Sequence, residues 1–148
     1  MKFGICNEVF EGWTIDDSIR FVAETGYNAI EIAPFTLAQY VTEVPLAERQ
    51  RIRSVAAENG IEVSAVHWVL IKTEGLYMTH TDSAIREKTS DYFCELVDFC
   101  SDLGGKAIVV GSPKLRNLLP GVSFEQAWDL AKETFAKSIQ RAEDKGVT

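Results

Sequence analysis

A glutamate and a histidine stand in two apolar segments at positions where side chains could do acid–base chemistry. Glu31 lies in residues 29–33, where small or charged side chains alternate with isoleucine. His67 ends the apolar segment 61–67 and is followed by Trp68. At a strand end, a carboxylate can act as a general base, and an imidazole can transfer a proton, bind a sugar hydroxyl or ligate a metal. We identify Glu31 and His67 as candidate catalytic residues, with a purely structural hydrogen-bonded pair as the alternative.

A polar loop follows the β-branched run 108–110. Lys114 and Arg116 are two cations in an acidic chain, and they leave the end of a predicted strand, where parallel α/β folds bind their ligands. We therefore predict an anion-binding loop in which Ser112, Lys114, Arg116 and Asn117 bind substrate. A solvated turn whose charges serve only solubility is the alternative.

Three further residues are candidates for substrate binding because they follow predicted strands. Trp13 and Trp68 could each stack an indole on a sugar ring, although packing at the rim explains them equally well. Glu8 is a second carboxylate, or else a surface residue of the first loop. Trp128 is interpreted as a packing residue, and His80 has no positional support for a functional role.

Four units of strand, polar loop and helix are expected along the chain. The strands are predicted at residues 2–6, 28–33, 61–67 and 106–111, and the helices at 14–26, 45–60, 85–103 and 123–146. Capping-box patterns at 14–17 and 123–126 indicate two helix starts, and Pro45 suits a first helical position. The inward residues of the fourth helix are predicted to be Phe124, Ala127, Ala131, Phe135, Ile139 and Ala142.

Glycines that end the predicted helices recur at intervals of roughly 35 to 45 residues, the length of one βα unit. A closed (β/α)₈ barrel needs about 250 residues, so four units make half of one. We predict a single α/β domain over residues 1–148, a (βα)₄ N-terminal half of a TIM barrel that is apparently truncated after the fourth unit. Its open edges and inward residues should favour a homo-oligomer. Those inward residues are Ala29, Val63, Ala65, Ala107 and Val109.

The composition favours small-molecule partners. A net charge of −7 without a basic run argues against a nucleic-acid or membrane-surface binder. Residues 1–8 contain no apolar leader and no stretch approaches the length of a membrane span, so a cytoplasmic location is expected. Cys6, Cys94 and Cys100 lack the spacing of metal ligands and are interpreted as buried free thiols.

Four segments carry a resemblance to a known family. They are Asn7-Glu8, residues 26–34 (Gly-Tyr-Asn-Ala-Ile-Glu-Ile-Ala-Pro), residues 60–68 (Gly-Ile-Glu-Val-Ser-Ala-Val-His-Trp) and residues 111–117 (Gly-Ser-Pro-Lys-Leu-Arg-Asn). Together they resemble the xylose isomerase-like TIM-barrel family of sugar-phosphate isomerases and epimerases, whose superfamily includes endonuclease IV and hydroxypyruvate isomerase. The resemblance covers the whole chain.

The resemblance implies a sugar or sugar-phosphate substrate and proton transfer next to a carbonyl, with a divalent metal (Mn, Mg, Co or Zn) stabilising an enediolate. In that family Glu, Asp, His and Glu residues of the second half of the barrel hold most of the metal. We therefore assign no metal ligand here and expect metal binding by this chain to be weak or absent. Two alternatives stay open: a non-catalytic scaffold or fragment without the metal-binding half, and an endonuclease IV-like phosphodiesterase.

Overall fold

Four parallel strands alternate with four helices in the computed structural model, which describes residues 1–148. The strands β1 (Gly4–Cys6), β2 (Ala29–Ile32), β3 (Glu62–His67) and β4 (Ala107–Val109) form one sheet in the order β1-β2-β3-β4. Each strand is followed by a helix: α1 (Ile15–Glu24), α2 (Leu46–Glu58), α3 (Ser83–Asp102) and α4 (Phe124–Lys145). The predicted (βα)₄ arrangement is confirmed, and it brings all four carboxyl strand ends to one edge of the sheet.

Side-chain caps fix the starts of two helices. The hydroxyl of Thr14 accepts a hydrogen bond from the Asp17 amide at 3.1 Å, which starts α1. The side chains of Ser123 and Gln126 accept hydrogen bonds from each other's backbone amides at 3.2 and 2.9 Å, which starts α4. The capping box at 123–126 is confirmed. At 14–17 only the Thr14 cap forms, because the Asp17 carboxylate accepts from the Thr14 hydroxyl at 2.7 Å and not from its backbone amide. Pro45 precedes the first residue of α2, because its ψ of 150° is extended rather than helical.

The hydrophobic core lies between the sheet and the helices. Its fully buried side chains include Ile19, Val22, Ile30, Ile32, Ile52, Val66, Leu96 and Phe99. The alternation predicted for β2 is confirmed, since Ile30 and Ile32 are buried in this core while Glu31 between them is only half-buried. Because successive strand residues point to opposite faces, Glu31 lies on the face away from the helices.

A register shift between β2 and β3 changes which residues share a face. Ile30 pairs with Val63, but the next residue, Glu31, pairs with Ala65, so Ser64 is an extra residue on β3. Paired residues of neighbouring strands point to the same side, and Val63 therefore lies with Ile30 in the core. The prediction that Val63 faces the barrel interior is wrong, because periodicity alone does not reveal a bulge.

The inward face of the sheet is less open than predicted. Ala29 and Ala65 are buried and Ala107 is half-buried, whereas Val109 is exposed. Thr148 covers part of the β4 edge: its amide donates to the Lys106 carbonyl at 2.9 Å, and its carbonyl accepts from the Ile108 amide at 2.8 Å.

The fourth helix packs against α3, and its buried face differs from the predicted one. Ala127, Thr134 and Ser138 are buried, whereas Phe124 and Ile139 are 66% and 55% exposed. Trp128 is also exposed, so its interpretation as a packing residue is wrong within this chain. The predicted residue Phe135 does pack against α3, with its ring centroid 4.8 Å from that of Phe93. Periodicity of apolar residues does not reveal the polar part of the buried face, where the Thr134 hydroxyl donates to the Met78 carbonyl at 2.8 Å in the loop before α3. Like the other three helices, α4 is not apolar enough over sufficient length to cross a membrane.

Candidate active site

Glu31 and His67 meet at the carboxyl ends of β2 and β3. The Nδ1 atom of His67 lies 3.1 Å from Oε2 of Glu31, so a protonated Nδ1 donates a hydrogen bond to the carboxylate. The side chains are 31% exposed for Glu31 and 29% for His67. They are therefore shielded from bulk water yet open to a ligand. A carboxylate on Nδ1 orients the ring and leaves Nε2 as the atom that can face a substrate.

Trp68 forms a wall beside this pair. Its indole stacks on the His67 ring with centroids 5.6 Å apart and an interplanar angle of 16°. Trp68 has a positive φ of 58°, an uncommon conformation for a bulky residue, and its buried Nε1 has no hydrogen-bond partner. Gly111 borders the other side of the imidazole, because a Cβ added there would lie 3.9 Å from Nε2.

A cavity of about 270 Å³ adjoins Trp68 between the loops that follow β3 and β4. It is lined by Trp68, Leu70, Ile71, Lys72, Thr73, Ser112, Pro113, Lys114 and Leu115. The predicted residues Trp68, Ser112 and Lys114 are thus brought together, although Ser112 is buried and its hydroxyl accepts a hydrogen bond from the Leu70 amide at 3.2 Å. Lys72 was not predicted, because it lies in a long loop without periodicity.

Arg116 and Asn117 do not join Lys114 in this cavity. The Nε of Arg116 donates to the Gly111 carbonyl at 3.0 Å, and its side chain lines a separate cavity of about 380 Å³ beside Phe124. The Asn117 carbonyl accepts hydrogen bonds from the hydroxyls of Tyr77 and Thr79 at 2.9 and 3.1 Å. The structure therefore does not pair Lys114 with Arg116 as the predicted anion-binding loop required.

Trp13 takes part in an aromatic cluster, which corresponds to the rim-packing alternative. Its ring centroid lies 5.5 Å from that of Phe10 and 5.4 Å from that of Phe21. Glu8 is half-buried in a short 3₁₀ turn directly after β1.

Asn7 beside Glu8 has a positioning role that was not predicted. Its buried side-chain carbonyl accepts a hydrogen bond from the Ala33 amide at 2.8 Å, and its amide group donates to the Thr36 hydroxyl at 2.8 Å. These two bonds tie the end of β1 to the end of β2 next to Glu31. A polar residue directly after a strand was the available signal, but it does not reveal its partners.

Cys6 is a further neighbour of the pair that was not predicted. Ligand atoms of Cys6, Glu31 and His67 all lie within 4.8 Å of one another. Cys6 and Cys94 are half-buried and only Cys100 is buried, so the interpretation of all three as buried thiols is wrong for two of them. Removal from water raises the pKa of the Cys6 thiol to about 11, and the nearby carboxylates of Glu8 and Glu31 act in the same direction.

This donor set fits only some of the divalent ions (Mn, Mg, Co or Zn) that the resemblance implies. Mn²⁺ and Mg²⁺ favour several oxygen ligands in octahedral geometry, whereas the cluster offers one carboxylate, one imidazole and one thiol. Zn²⁺, by contrast, is commonly bound by carboxylate, imidazole and thiolate ligands, and its binding to Cys6 would have to displace the proton that the raised pKa of this thiol holds.

Four parallel βα units with polar side chains gathered at the carboxyl strand ends define one half of a TIM-barrel protein. The family model described as xylose isomerase-like TIM barrel matches residues 19–148. The chain therefore belongs to the xylose isomerase-like TIM-barrel family, as its motifs predicted. No match was found among curated proteins.

Solved structures of epimerases share the fold. A D-psicose 3-epimerase crystallised in the presence of D-fructose shares 22% sequence identity with this chain and superposes with a TM-score of 0.80. The match includes 100% of this chain and 50% of the epimerase. The D-psicose 3-epimerase of Clostridium cellulolyticum H10 with D-tagatose is 18% identical (TM-score 0.76, 99% and 50% covered). A sugar phosphate isomerase/epimerase of Parabacteroides distasonis ATCC 8503 is 13% identical (TM-score 0.62, 99% and 49% covered). The chain thus spans about half the length of these proteins, and the likeness confirms the half-barrel.

Proposed function

We propose that this chain is the substrate-binding half of a sugar or sugar-phosphate isomerase/epimerase, acting by proton transfer next to a carbonyl. The 3.1 Å contact between Glu31 and His67 at the ends of β2 and β3 is the observation that carries the proposal. Its position agrees with the location of active sites at the carboxyl face of TIM barrels. The epimerases that share the fold support a sugar as the substrate class.

In the proposed chemistry a base removes the proton from the carbon next to the sugar carbonyl, which gives an enediolate. Return of the proton to the opposite face of that carbon gives the epimer, and its return to the former carbonyl carbon gives the isomer. Glu31 is the candidate base, and His67 positions the sugar through a hydrogen bond from Nε2. Trp68 offers an indole surface against the apolar face of the sugar ring. Water is partly excluded because Glu31 and His67 are both two-thirds buried.

Assistance by a divalent metal is part of the proposed function of the full barrel, but this chain supplies only one carboxylate, that of Glu31, near the candidate metal site. We expect the 148-residue chain to bind Mn²⁺ weakly and to exchange the reactive sugar proton slowly, with exchange lost in Glu31→Gln. Incubation with ketoses in D₂O, followed by NMR of the carbon next to the carbonyl, measures the exchange, and calorimetry measures Mn²⁺ binding. Sugar binding without any exchange would support a non-catalytic scaffold instead. Stoichiometric, submicromolar Mn²⁺ binding would show that the metal site has been misplaced.

The endonuclease IV-like alternative finds no support in the site. DNA-binding enzymes present clustered cations to phosphates, whereas this chain has a net charge of −7 and its site is built around a carboxylate. The partners in this proposal are small sugars, and nucleic acid is not among them.

We also propose that the chain forms a homodimer. Phe124, Trp128 and Ile139 on α4 are large apolar residues exposed to water, and Val109 on β4 is exposed as well. Exposed apolar surface of this kind favours association. A two-fold axis would let a second copy cover the same surface, since isologous dimers are the commonest oligomers. No further strand lies beyond β1, and beyond β4 only Thr148 is hydrogen-bonded to it, so a second sheet could pair with these edges.

Light scattering at micromolar concentration should give twice the 16.5 kDa chain mass. Trp128→Asp should shift the particle towards the monomer, because it places a charge in this apolar surface. Lys132→Asp on the same helix is the control, since Lys132 is already an exposed ion-pair residue. A monodisperse wild-type monomer that binds no hydrophobic dye would contradict dimer formation.

A further inference from the structure

We infer that the cavity between the β3 and β4 loops is a phosphate-monoester subsite, so that the substrate is a phosphorylated rather than a neutral sugar. This inference rests on the proposed function for the sugar part of the ligand. The cavity is the one lined by Trp68, Lys72, Thr73, Ser112 and Lys114, with a volume of about 270 Å³. That volume is slightly below the usual range of small-molecule sites, which starts at about 300 Å³, and it suits a compact ligand.

The charge of the cavity lining is opposite to that of the chain. Two of its nine lining residues are lysines and none is acidic, although the whole chain carries 22 acidic and 15 basic side chains. Lys72 and Lys114 are both exposed and neither forms an ion pair. The Lys72 ammonium instead lies 4.7 Å from the centroid of the Phe35 ring. Two cations without carboxylate partners, on opposite loops of one cavity, are suited to a dianionic group.

The cavity walls are held in place by the fold. The Ser112 hydroxyl accepts a hydrogen bond from the Leu70 amide at 3.2 Å, which ties the β4 loop to the β3 loop. The Thr73 hydroxyl donates to the Leu70 carbonyl at 2.7 Å and fixes the turn that carries Lys72. The separation of the loops is therefore set before a ligand arrives, which lowers the cost of binding.

Trp68 connects the cavity to the Glu31–His67 pair. Its ring lines the cavity and also stacks on His67 at 5.6 Å. Its Nε1 is buried without a partner, a costly state that a ligand oxygen entering beside the ring would relieve. A sugar whose phosphate lies between Lys72 and Lys114 would extend along the indole towards His67. The phosphate would thus act as the handle that places the carbonyl end at the acid–base pair.

Lysine substitutions with two matched ligands test this subsite. D-fructose 6-phosphate should bind the wild-type chain about tenfold more tightly than D-fructose, since one good charge-assisted contact is worth about that factor. Lys72→Gln and Lys114→Gln should each remove most of this advantage and leave D-fructose binding unchanged. Arg116→Gln is the control, because Arg116 is a cation two residues from Lys114 that lines the other cavity. All three residues are exposed, so the variants should fold normally.

The outcomes separate the subsite from the proposed function. Equal affinity for the two sugars, or an equal loss in Arg116→Gln, would overturn the subsite while the proposed function stands. Lysine-dependent binding of inorganic phosphate with no response to either sugar would support the cation pair and overturn the proposed function. Phosphate-ester preference that depends on Lys72 and Lys114 but not on Arg116 is the result expected.

Discussion

Replacement of Arg49 by Met is expected to lower the free energy of unfolding by about 3–4 kcal/mol. Arg49 is 9% exposed, and its guanidinium donates to the carbonyls of Val44 and Val41, both at 2.8 Å. It also forms an ion pair with Asp102 at 3.0 Å and lies 5.3 Å from the centroid of the Phe99 ring. The substitution would remove the Arg49 partner of the Val44 carbonyl and of the partly buried Asp102 carboxylate, which is where the large cost arises. The Val41 carbonyl would keep only its hydrogen bond from the Val44 amide at 3.2 Å.

Arg51, two residues after Arg49, provides the matched control. It forms ion pairs with Asp16 at 2.9 Å and Glu48 at 2.8 Å, but its side chain is 41% exposed. Arg51→Met should therefore cost less than about 1 kcal/mol, as is usual for surface pairs. Urea denaturation followed by circular dichroism measures both variants. A loss in Arg51→Met as large as in Arg49→Met would show that burial of Arg49 is not what determines its contribution.

Substitution of either member of the acid–base pair is expected to weaken sugar binding about 30-fold, which corresponds to about 2 kcal/mol. Glu31→Gln removes the charge that orients His67 through the 3.1 Å contact, and His67→Gln removes the imidazole itself. Because the two residues act through one contact, the double variant should bind little worse than either single variant. Calorimetric titration with a ketose measures all three.

His80→Gln is the control for these substitutions. The Nδ1 of His80 accepts a hydrogen bond from the Asp82 amide at 2.9 Å in the loop before α3, and the ring lies edge-on to Tyr77. Its loss should leave sugar binding within about twofold of wild type, a difference well below 1 kcal/mol. Additive losses in the Glu31 and His67 variants would indicate that the two residues bind the sugar independently rather than as a pair.

The order of strands and helices could be predicted from the sequence because the residues that start and end each helix lie within its own βα unit. Capping side chains at Thr14 and Ser123, and a glycine such as Gly146 with its positive φ of 64°, set helix limits without reference to distant residues. Strand ends then locate Glu31 and His67, since parallel strands bring their carboxyl ends together. Family membership followed from the same residues and is confirmed.

The failures have a common physical cause, which is dependence on partners distant in the chain. Val63 lies on the core face and not on the predicted inward face, because a bulge adds one residue to β3 between the partners of Ile30 and Glu31. Strand alternation in the sequence does not show such an insertion. The exposed side of α4 carries Phe124 and Ile139, and only contact with α3 decides which face is buried.

The residues that line the cavity could not be predicted either, because they come from two segments distant in the chain. Lys72 and Lys114 lie on separate loops, so their neighbourhood could not be read from either segment. Arg116 was assigned to the anion-binding loop by proximity in sequence, but its Nε is held by the Gly111 carbonyl. Loop geometry of this kind depends on hydrogen bonds that have no periodic signal.

The central claim is that a sugar binds against the Glu31–His67 pair, and imidazole NMR tests it most directly. The chain has two histidines, so its ring spectrum contains signals from His67 and His80 alone, and His67→Gln assigns them. A saturating ketose should shift the His67 ring signals and leave those of His80 in place. In Glu31→Gln the same sugar concentration should produce little shift. Sugar binding that leaves His67 unchanged, or that shifts His80 instead, would contradict the account.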